Sequence, residues 1–269
     1  MSEFNLTADN YYSQEANKRF LSVHQYLDFA GGLLSKGCEA KAMAELNGEW
    51  EEEKPNAFIV GGYVDAHFEG TLDRFKAEHP EVFTQKGELK SQFKQAEKMI
   101  ARCEQDELFM LFMSGEKQVI MTGEWAGADW KIKMDSYIPG KCIVDLKTSA
   151  DIHRAWRIND YGYASFIEAF NYDKQLALYQ KIVEINTGEK LPCYIAVVTK
   201  EDYPEIAIIE IDQFTLDNAL NQMKMNVQNV LAVKNGELKP VRCGHCNFCK
   251  STMKLTTPIN YRDLIIEGE

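Results

Sequence analysis

Between Gln118 and Thr148 the apolar residues recur with a period near two. Val119 and Met121 begin the run, Trp130, Ile132 and Met134 continue it, and Ile143 and Leu146 close it. Turn formers interrupt it at Gly127-Ala128-Asp129 and Pro139-Gly140. Alternation broken by turns predicts an antiparallel meander of three strands. Elsewhere the spacing is helical. Ser22-Val23-His24-Gln25 has the form of a capping box opening a helix with Tyr26, Phe29, Leu33 and Leu34, which stops near Gly37. A helical stretch through Ala40 to Leu46 follows, then a charged loop at residues 51–55. Residues 58–68 read as a buried helix whose Gly61-Gly62 permits close packing, and residues 91–105 as a polar helix. A long helix is predicted from about Tyr172 to Ile185, ending before Gly188. Strands at Cys193–Thr199 and Glu205–Ile211 come next. A last amphipathic helix carries Leu216, Leu220, Met223, Val227 and Leu231 and ends near Asn235-Gly236. This order implies an α/β chain with a mixed central sheet, the meander plus further strands, flanked by helices.

The 269 residues, 45% of them hydrophobic, suffice for one large domain spanning 1–269. Residues 1–57 read as a helical N-terminal extension and 236–255 as a Cys-rich C-terminal segment, the two packed together on the core. No basic-then-apolar leader pattern follows Met1, and no window approaches the roughly 18–20 apolar residues of a spanning helix, so a soluble, cytoplasmic protein without membrane contact is expected. Thirty basic against 41 acidic residues give a net charge of −11, which opposes non-specific attraction to a polyanion. A nucleic-acid enzyme of this composition needs its cations gathered on one surface. The stretch from Lys234 to Lys254 is locally basic, whereas Glu49 to Lys54 is locally acidic.

The chemistry concentrates at Asp145-Leu146-Lys147, which closes the apolar run Cys142-Ile143-Val144. A strand puts residues i and i+2 on one face, so the Asp145 carboxylate and Lys147 ammonium project side by side. Asp135 lies ten residues upstream, across the Pro139-Gly140 turn, where a hairpin partner can bring it alongside. Two acids and an amine at the end of a sheet can seat a divalent cation beside a water nucleophile, the equipment for cutting a phosphodiester. The plainer alternative is an exposed salt bridge between Asp145 and Lys147.

Asp135, Asp145-x-Lys147 and Gln175-x-x-x-Tyr179 in this order resemble the PD-(D/E)XK nuclease superfamily, in particular its RecB-type branch. Gly61-Gly62-Tyr63-Val64-Asp65-Ala66-His67, Lys133-Met134-Asp135-Ser136 and Ile143-Val144-Asp145-Leu146-Lys147-Thr148 are similar to segments of exodeoxyribonuclease VIII-like phage and prophage exonucleases, from about Leu21 to Leu255. The resemblance implies a restriction-endonuclease-like core and Mg²⁺ or Mn²⁺ held by Asp135, Asp145, the Leu146 carbonyl and His67. Asp65 and Glu69 stand in for His67 if the helix phase differs, and a core role for His67 is its alternative. The same resemblance makes Lys147 the residue that activates water, and places Gln175 and Tyr179 along the site, with Tyr179 in the core as the plainer reading. It further implies a metal-dependent exonuclease acting on duplex DNA ends in phage recombination, with a single-strand annealing recombinase as partner and a possible homo-oligomer. A single-strand nuclease of the CRISPR spacer-trimming type and a vestigial DNA-binding scaffold are the alternatives.

Cys243-x-x-Cys246-x-x-Cys249 supplies three thiolates from one turn-rich loop, and Cys38 is the best candidate for a fourth. Several RecB-type nucleases join one early and three late cysteines around an iron–sulfur cluster, so the resemblance implies a 4Fe-4S centre, with zinc as the alternative and His245 as a substitute ligand. Cys103, Cys142 and Cys193 read as small buried hydrophobes.

Overall fold

The computed structural model describes residues 4–52, 56–158 and 162–264. Glu53, Lys54 and Pro55 of the charged loop lie outside the described residues. At the centre, β4 (Cys142–Ser149) and β7 (Cys193–Thr199) run parallel. Antiparallel β3 (Ser136–Ile138) and β8 (Ile206–Ile211) flank them, in the order β3-β4-β7-β8. A parallel pair needs a crossover, and α9 (Tyr172–Thr187) supplies it, closed by Gly188 in the left-handed conformation at φ 78°. The mixed sheet flanked by helices agrees with the sequence pattern.

Both faces of the sheet are covered. Ile143 of β4 and Cys193, Ile195 and Val197 of β7 pack against Leu176, Leu178 and Ile182 of α9, against α2 (Val23–Ala30) and against α10 (Gln213–Lys234). Val144, Leu146, Ala196 and Val198 face the other way, onto α4 (Asn56–Glu69) and α6 (Ser91–Glu104). On α4 the two glycines lie where space is short: a β-carbon would come within 3.3 Å of Thr148 Oγ1 at Gly61 and 3.2 Å of the Phe75 ring at Gly62. Helix α6 is amphipathic, burying Phe93, Ala96, Met99, Ile100 and Cys103.

The predicted meander is divided. β1 (Val119–Trp125) and β2 (Ala128–Met134) form a hairpin that is a sheet of its own, turning at Ala126-Gly127, one or two residues before the expected position. The physical reason lies at Asp135, between β2 and β3. Its carboxylate, and not a backbone carbonyl, accepts the Leu146 N–H at 2.8 Å. The ladder with β4 therefore stops at the Ser136–Val144 pair, and β2, with Trp130, Ile132 and Met134 wholly buried, leaves the sheet to pack under α9.

At the N-terminal side, Ser22 caps α2 by accepting the Gln25 N–H at 3.2 Å. The reciprocal half of the box is missing, because the Gln25 side-chain oxygen that would take the Ser22 N–H accepts from Lys234 Nζ at 3.0 Å instead. The helix ends at Ala30, with Gly31 at φ 81°, so Leu33 and Leu34 lie beyond it and are partly exposed. The next helix, α3 (Glu39–Asn47), starts from Cys38. Shorter helices α1 (Gln14–Arg19), α5 (Leu72–Glu78), α7 (Glu107–Phe112) and α8 (Phe166–Ala169), a small ribbon of β5 (Trp156–Arg157) and β6 (Tyr163–Ala164), and α11 (Asn247–Ser251) complete the described elements apart from two 3₁₀ turns. Among the described residues no helix is long and apolar enough to cross a membrane.

Candidate active site and thiolate cluster

The alternation of β4 divides its residues by chemistry. Val144 and Leu146 enter the α4 side of the core, while Ile143, Asp145 and Lys147 lie on the α9 side. Ile143 is covered there. Asp145 and Lys147 extend past the end of β3 into a cavity of about 820 Å³.

Asp145 is 2% exposed. Its Oδ1 accepts a hydrogen bond of 2.8 Å from Gln175 Nε2, and the same amide donates to the Tyr179 hydroxyl at 3.0 Å. Gln175 and Tyr179 are four apart on α9 and therefore face together. Asp145 Oδ2 is paired with the Lys147 ammonium but accepts no hydrogen bond of ordinary geometry. Asp135 reaches the same place from the bend before β3, with Oδ2 on the Leu146 N–H and Oδ1 accepting from Gln118 Nε2 at 3.2 Å. The structure thus brings Asp135, Asp145, Lys147, Gln175 and Tyr179 together.

His67 is not brought there. Its Nε2 lies 2.8 Å from Glu104 Oε1, and the ring does not line the cavity. The helix instead presents Asp65 and Glu69, which line a recess with Asp135, Gln118 and Leu146. Residues 65 and 69 share a face, while position 67 is rotated about 200° from 65. Asp65 is the third acid of the group, with Glu69 beside it.

The electrostatics are those of a site short of positive charge. Burial, with repulsion from Asp135 and Asp145, pushes the Asp65 carboxyl well above its ordinary range, Lys147 offsetting only part of this. Asp145 is pushed up to about 7 by burial and by Asp135, against the pull of Lys147. Burial alone would lower Lys147, but Asp145 and Asp135 outweigh it and hold the amine above the usual lysine range. Hard oxygen donors of Asp65, Asp135 and Asp145 crowded around one ammonium fit a divalent cation of the Mg²⁺ type. Leu146 lines the same recess.

The cavity wall carries Lys131, Lys133, Lys200 and Arg154 together with Tyr11, Tyr12, Trp156, Phe170 and Tyr172. The Lys147 ammonium sits 4.9 Å from the Tyr172 ring centre, and the Arg154 guanidinium 4.2 Å from that of Trp156.

A second cluster lies outside this cavity. The sulfurs of Cys38, Cys243, Cys246 and Cys249 are all within 4.8 Å of one another. Cys38 and Cys249 are 3.6 Å apart, Cys243 and Cys249 3.9 Å. The C-x-x-C spacing folds each turn so that backbone N–H groups point at sulfur: His245 and Cys246 donate to Cys243 at 3.5 and 3.4 Å, and Cys249 donates to Cys246 at 3.4 Å. The N–H donors of His245 and Cys246 bring the Cys243 thiol down to about 6. Burial pushes Cys38 up, and Cys246 up to about 12. Cys103, Cys142 and Cys193 are buried apart from this group.

A family model described as a PDDEXK-like domain of unknown function (DUF3799) matches residues 22–252. The chain belongs to this family. The crystal structure of a candidate exonuclease from Eubacterium rectale, 54% identical, matches 98% of this PDDEXK-like chain and 100% of that one with a TM-score of 0.96. A second solved structure, SSO0001, is 15% identical over 71% of this chain and 85% of that one, with a TM-score of 0.28. No curated protein matches the chain. The family and the Eubacterium rectale structure together support a nuclease.

One residue of this PDDEXK-like site has no signal in the sequence beyond its place in a helix cap. His24, in the first turn of α2, lines the cavity with Asp28 one turn on. Its enclosure by the walls, and then the nearby Lys147 charge, lower its pKa to about 4, so its ring is neutral at physiological pH. A polar residue between buried Val23 and Tyr26 marks the exposed face of α2. It does not say what that face looks onto.

Proposed function

We propose that this PDDEXK-like chain is a metal-dependent DNA exonuclease hydrolysing phosphodiester bonds. The observation that carries the reading is the meeting of the Asp135 and Asp145 carboxylates with the Lys147 amine in one cavity. Asp135, Asp145 and Asp65 would hold the cation, Mg²⁺ or Mn²⁺, which when bound supplies Lewis acidity and an acidified water. Gln175 fixes one Asp145 oxygen, leaving the other directed at Lys147. Lys147 then orients the attacking water through its ammonium and offsets negative charge building on the phosphoryl oxygens. The aromatic rings of the lining suit stacked bases, and its lysines and arginine suit a sugar-phosphate backbone once a bound cation offsets the acids among them.

The choice of duplex ends, a role in phage recombination beside an annealing recombinase, a homo-oligomer and a cytoplasmic location rest on the sequence resemblance. The exonuclease description of the Eubacterium rectale relative supports the mode of attack. On this reading residues 1–269 form one catalytic domain on which the N-terminal helices and the Cys-rich segment pack. The single-strand nuclease reading keeps one specific support, the pairing of an early cysteine with three late ones.

End-labelled linear duplex and circular single-stranded DNA, each incubated with Mg²⁺, Mn²⁺ or chelator, test the proposal. Metal-dependent loss of the linear duplex with the circle spared is expected, and Lys147→Ala should reduce the rate by roughly 10²–10³-fold. Cleavage of the circle would favour the single-strand reading, and no metal-dependent cleavage of either substrate would sink both.

A further inference from the structure

The four-cysteine cluster has geometry of its own, independent of the nuclease reading. Four sulfurs bound at about 2.3 Å to one tetrahedral ion stand about 3.8 Å apart. The observed separations of 3.6 and 3.9 Å straddle that value, and no pair among the four exceeds 4.8 Å. An iron–sulfur centre makes a different demand. Its thiolates bind separate irons at the outer corners of an inorganic core, so their sulfurs must stand farther apart than sulfurs sharing one ion. A cage this tight has no room for a core of several irons and sulfides. It has room for one atom.

We propose that Cys38, Cys243, Cys246 and Cys249 bind a single tetrahedral Zn²⁺ ion, and not the iron–sulfur cluster implied by the sequence resemblance. Thiolate ligands select zinc among the common closed-shell cations, and a site with four protein ligands and no open position is a structural one. Binding involves no redox step: the thiols lose their protons to solvent as the ion enters. His245 is not a ligand. Its backbone N–H serves Cys243, and its ring is not among the clustered donor atoms.

The ion would join segments about 200 residues apart. Cys38 begins α3, and its N–H donates to the Asp28 carbonyl at 2.9 Å, on the cavity wall. Val241 N–H donates to Glu39 Oε2 at 2.8 Å, Asn247 Nδ2 to Glu52 Oε1 at 2.9 Å, and the Phe248 ring meets Trp50 edge-on at 5.5 Å. The zinc would therefore pin the C-terminal loop to α3 and, through Cys38, to α2, the helix that carries His24 and Asp28.

The test is elemental analysis of the full chain, purified without metal-affinity steps and without air from cells supplied with both iron and zinc. One zinc per chain and a colourless protein are expected. Replacement by Co²⁺ should produce the intense visible ligand-field bands of a tetrahedral thiolate site. Cys249→Ser should weaken zinc retention against a competing chelator by at least about tenfold, whereas His245→Ala should retain the metal. Stripping the zinc should raise amide exchange in residues 28–40 and 241–252 while β4 and β7 stay protected. Brown protein with several irons and inorganic sulfide per chain would overturn the proposal. A lone iron, or a chain that arrives without metal and takes up no zinc, would do the same, and loss of zinc from His245→Ala would overturn the ligand set.

Discussion

Gln175 shows how a neutral residue can hold a charged one in position. Its two amide hydrogens are divided between Asp145 Oδ1 and the Tyr179 hydroxyl, so removing it strands a buried carboxylate oxygen. Gln175→Leu should lower stability by about 1–3 kcal/mol, the usual cost of an unsatisfied buried partner. It should also reduce kcat with little change in KM, read from denaturant unfolding and steady-state cleavage on the same preparation. The residues of α4 divide more sharply. Asp65→Ala should cost roughly 100-fold or more in cleavage rate, since Asp65 faces Asp135 and Asp145. His67→Ala should leave the rate almost unchanged, because that ring serves Glu104. Comparison of the two variants under saturating Mn²⁺ checks which face of the helix belongs to the site.

At the level of elements, β2 carries a cost that pH can reveal. Lys131 is 2% exposed, and its ammonium is held by the Tyr11 carbonyl and by Asn17 Oδ1 at 2.7 Å, tying the N-terminal segment across the hairpin. Desolvation lowers its pKa to about 8. The unfolded chain keeps this proton to about pH 10.4, so between these values the unfolded state binds more protons and stability rises with pH. Below pH 8 both states are protonated and the contribution is flat. A shift of this size should add roughly 1–2 kcal/mol between pH 8 and 9.5. Lys131→Met should remove that rise, measured as the difference in unfolding free energy between variant and parent across the range. A parent whose stability falls as steeply as the variant's would contradict the assignment.

For the whole molecule the question is how a chain of net charge −11 approaches a polyanion. Acids outnumber bases in the cavity, so a bound cation must offset them, while Lys133, Lys200 and Arg154 supply positive charge for phosphate, with Arg154 stacked on Trp156 at the rim of the ribbon formed by β5 and β6. DNA affinity should fall steeply with salt. Arg154→Ala should weaken binding uniformly across sequences and flatten the log–log salt slope by about 1. Anisotropy of a labelled oligonucleotide, in chelator to prevent cleavage, measures both. An unchanged slope would place the phosphate path elsewhere.

The candidate site was half legible in the chain because half of it is local. Asp145 and Lys147 share a face through the two-residue period of a strand. Asp135 joins them through the short turn in which Gly140 takes φ 68°, a spacing too small to lead elsewhere. Gln175 and Tyr179 follow from helical spacing in the same way. His24, the choice of Asp65 over His67 and the division of the meander were not legible. Which side of α4 or α2 meets β4 depends on how helices distant in sequence settle on a sheet. Whether β2 continues that sheet depends on one carboxylate taking the Leu146 N–H. The cysteines show the same boundary: their number and spacing promise a metal, while the space between their sulfurs, fixed only when residues 38 and 243–249 pack together, favours one ion over a cluster.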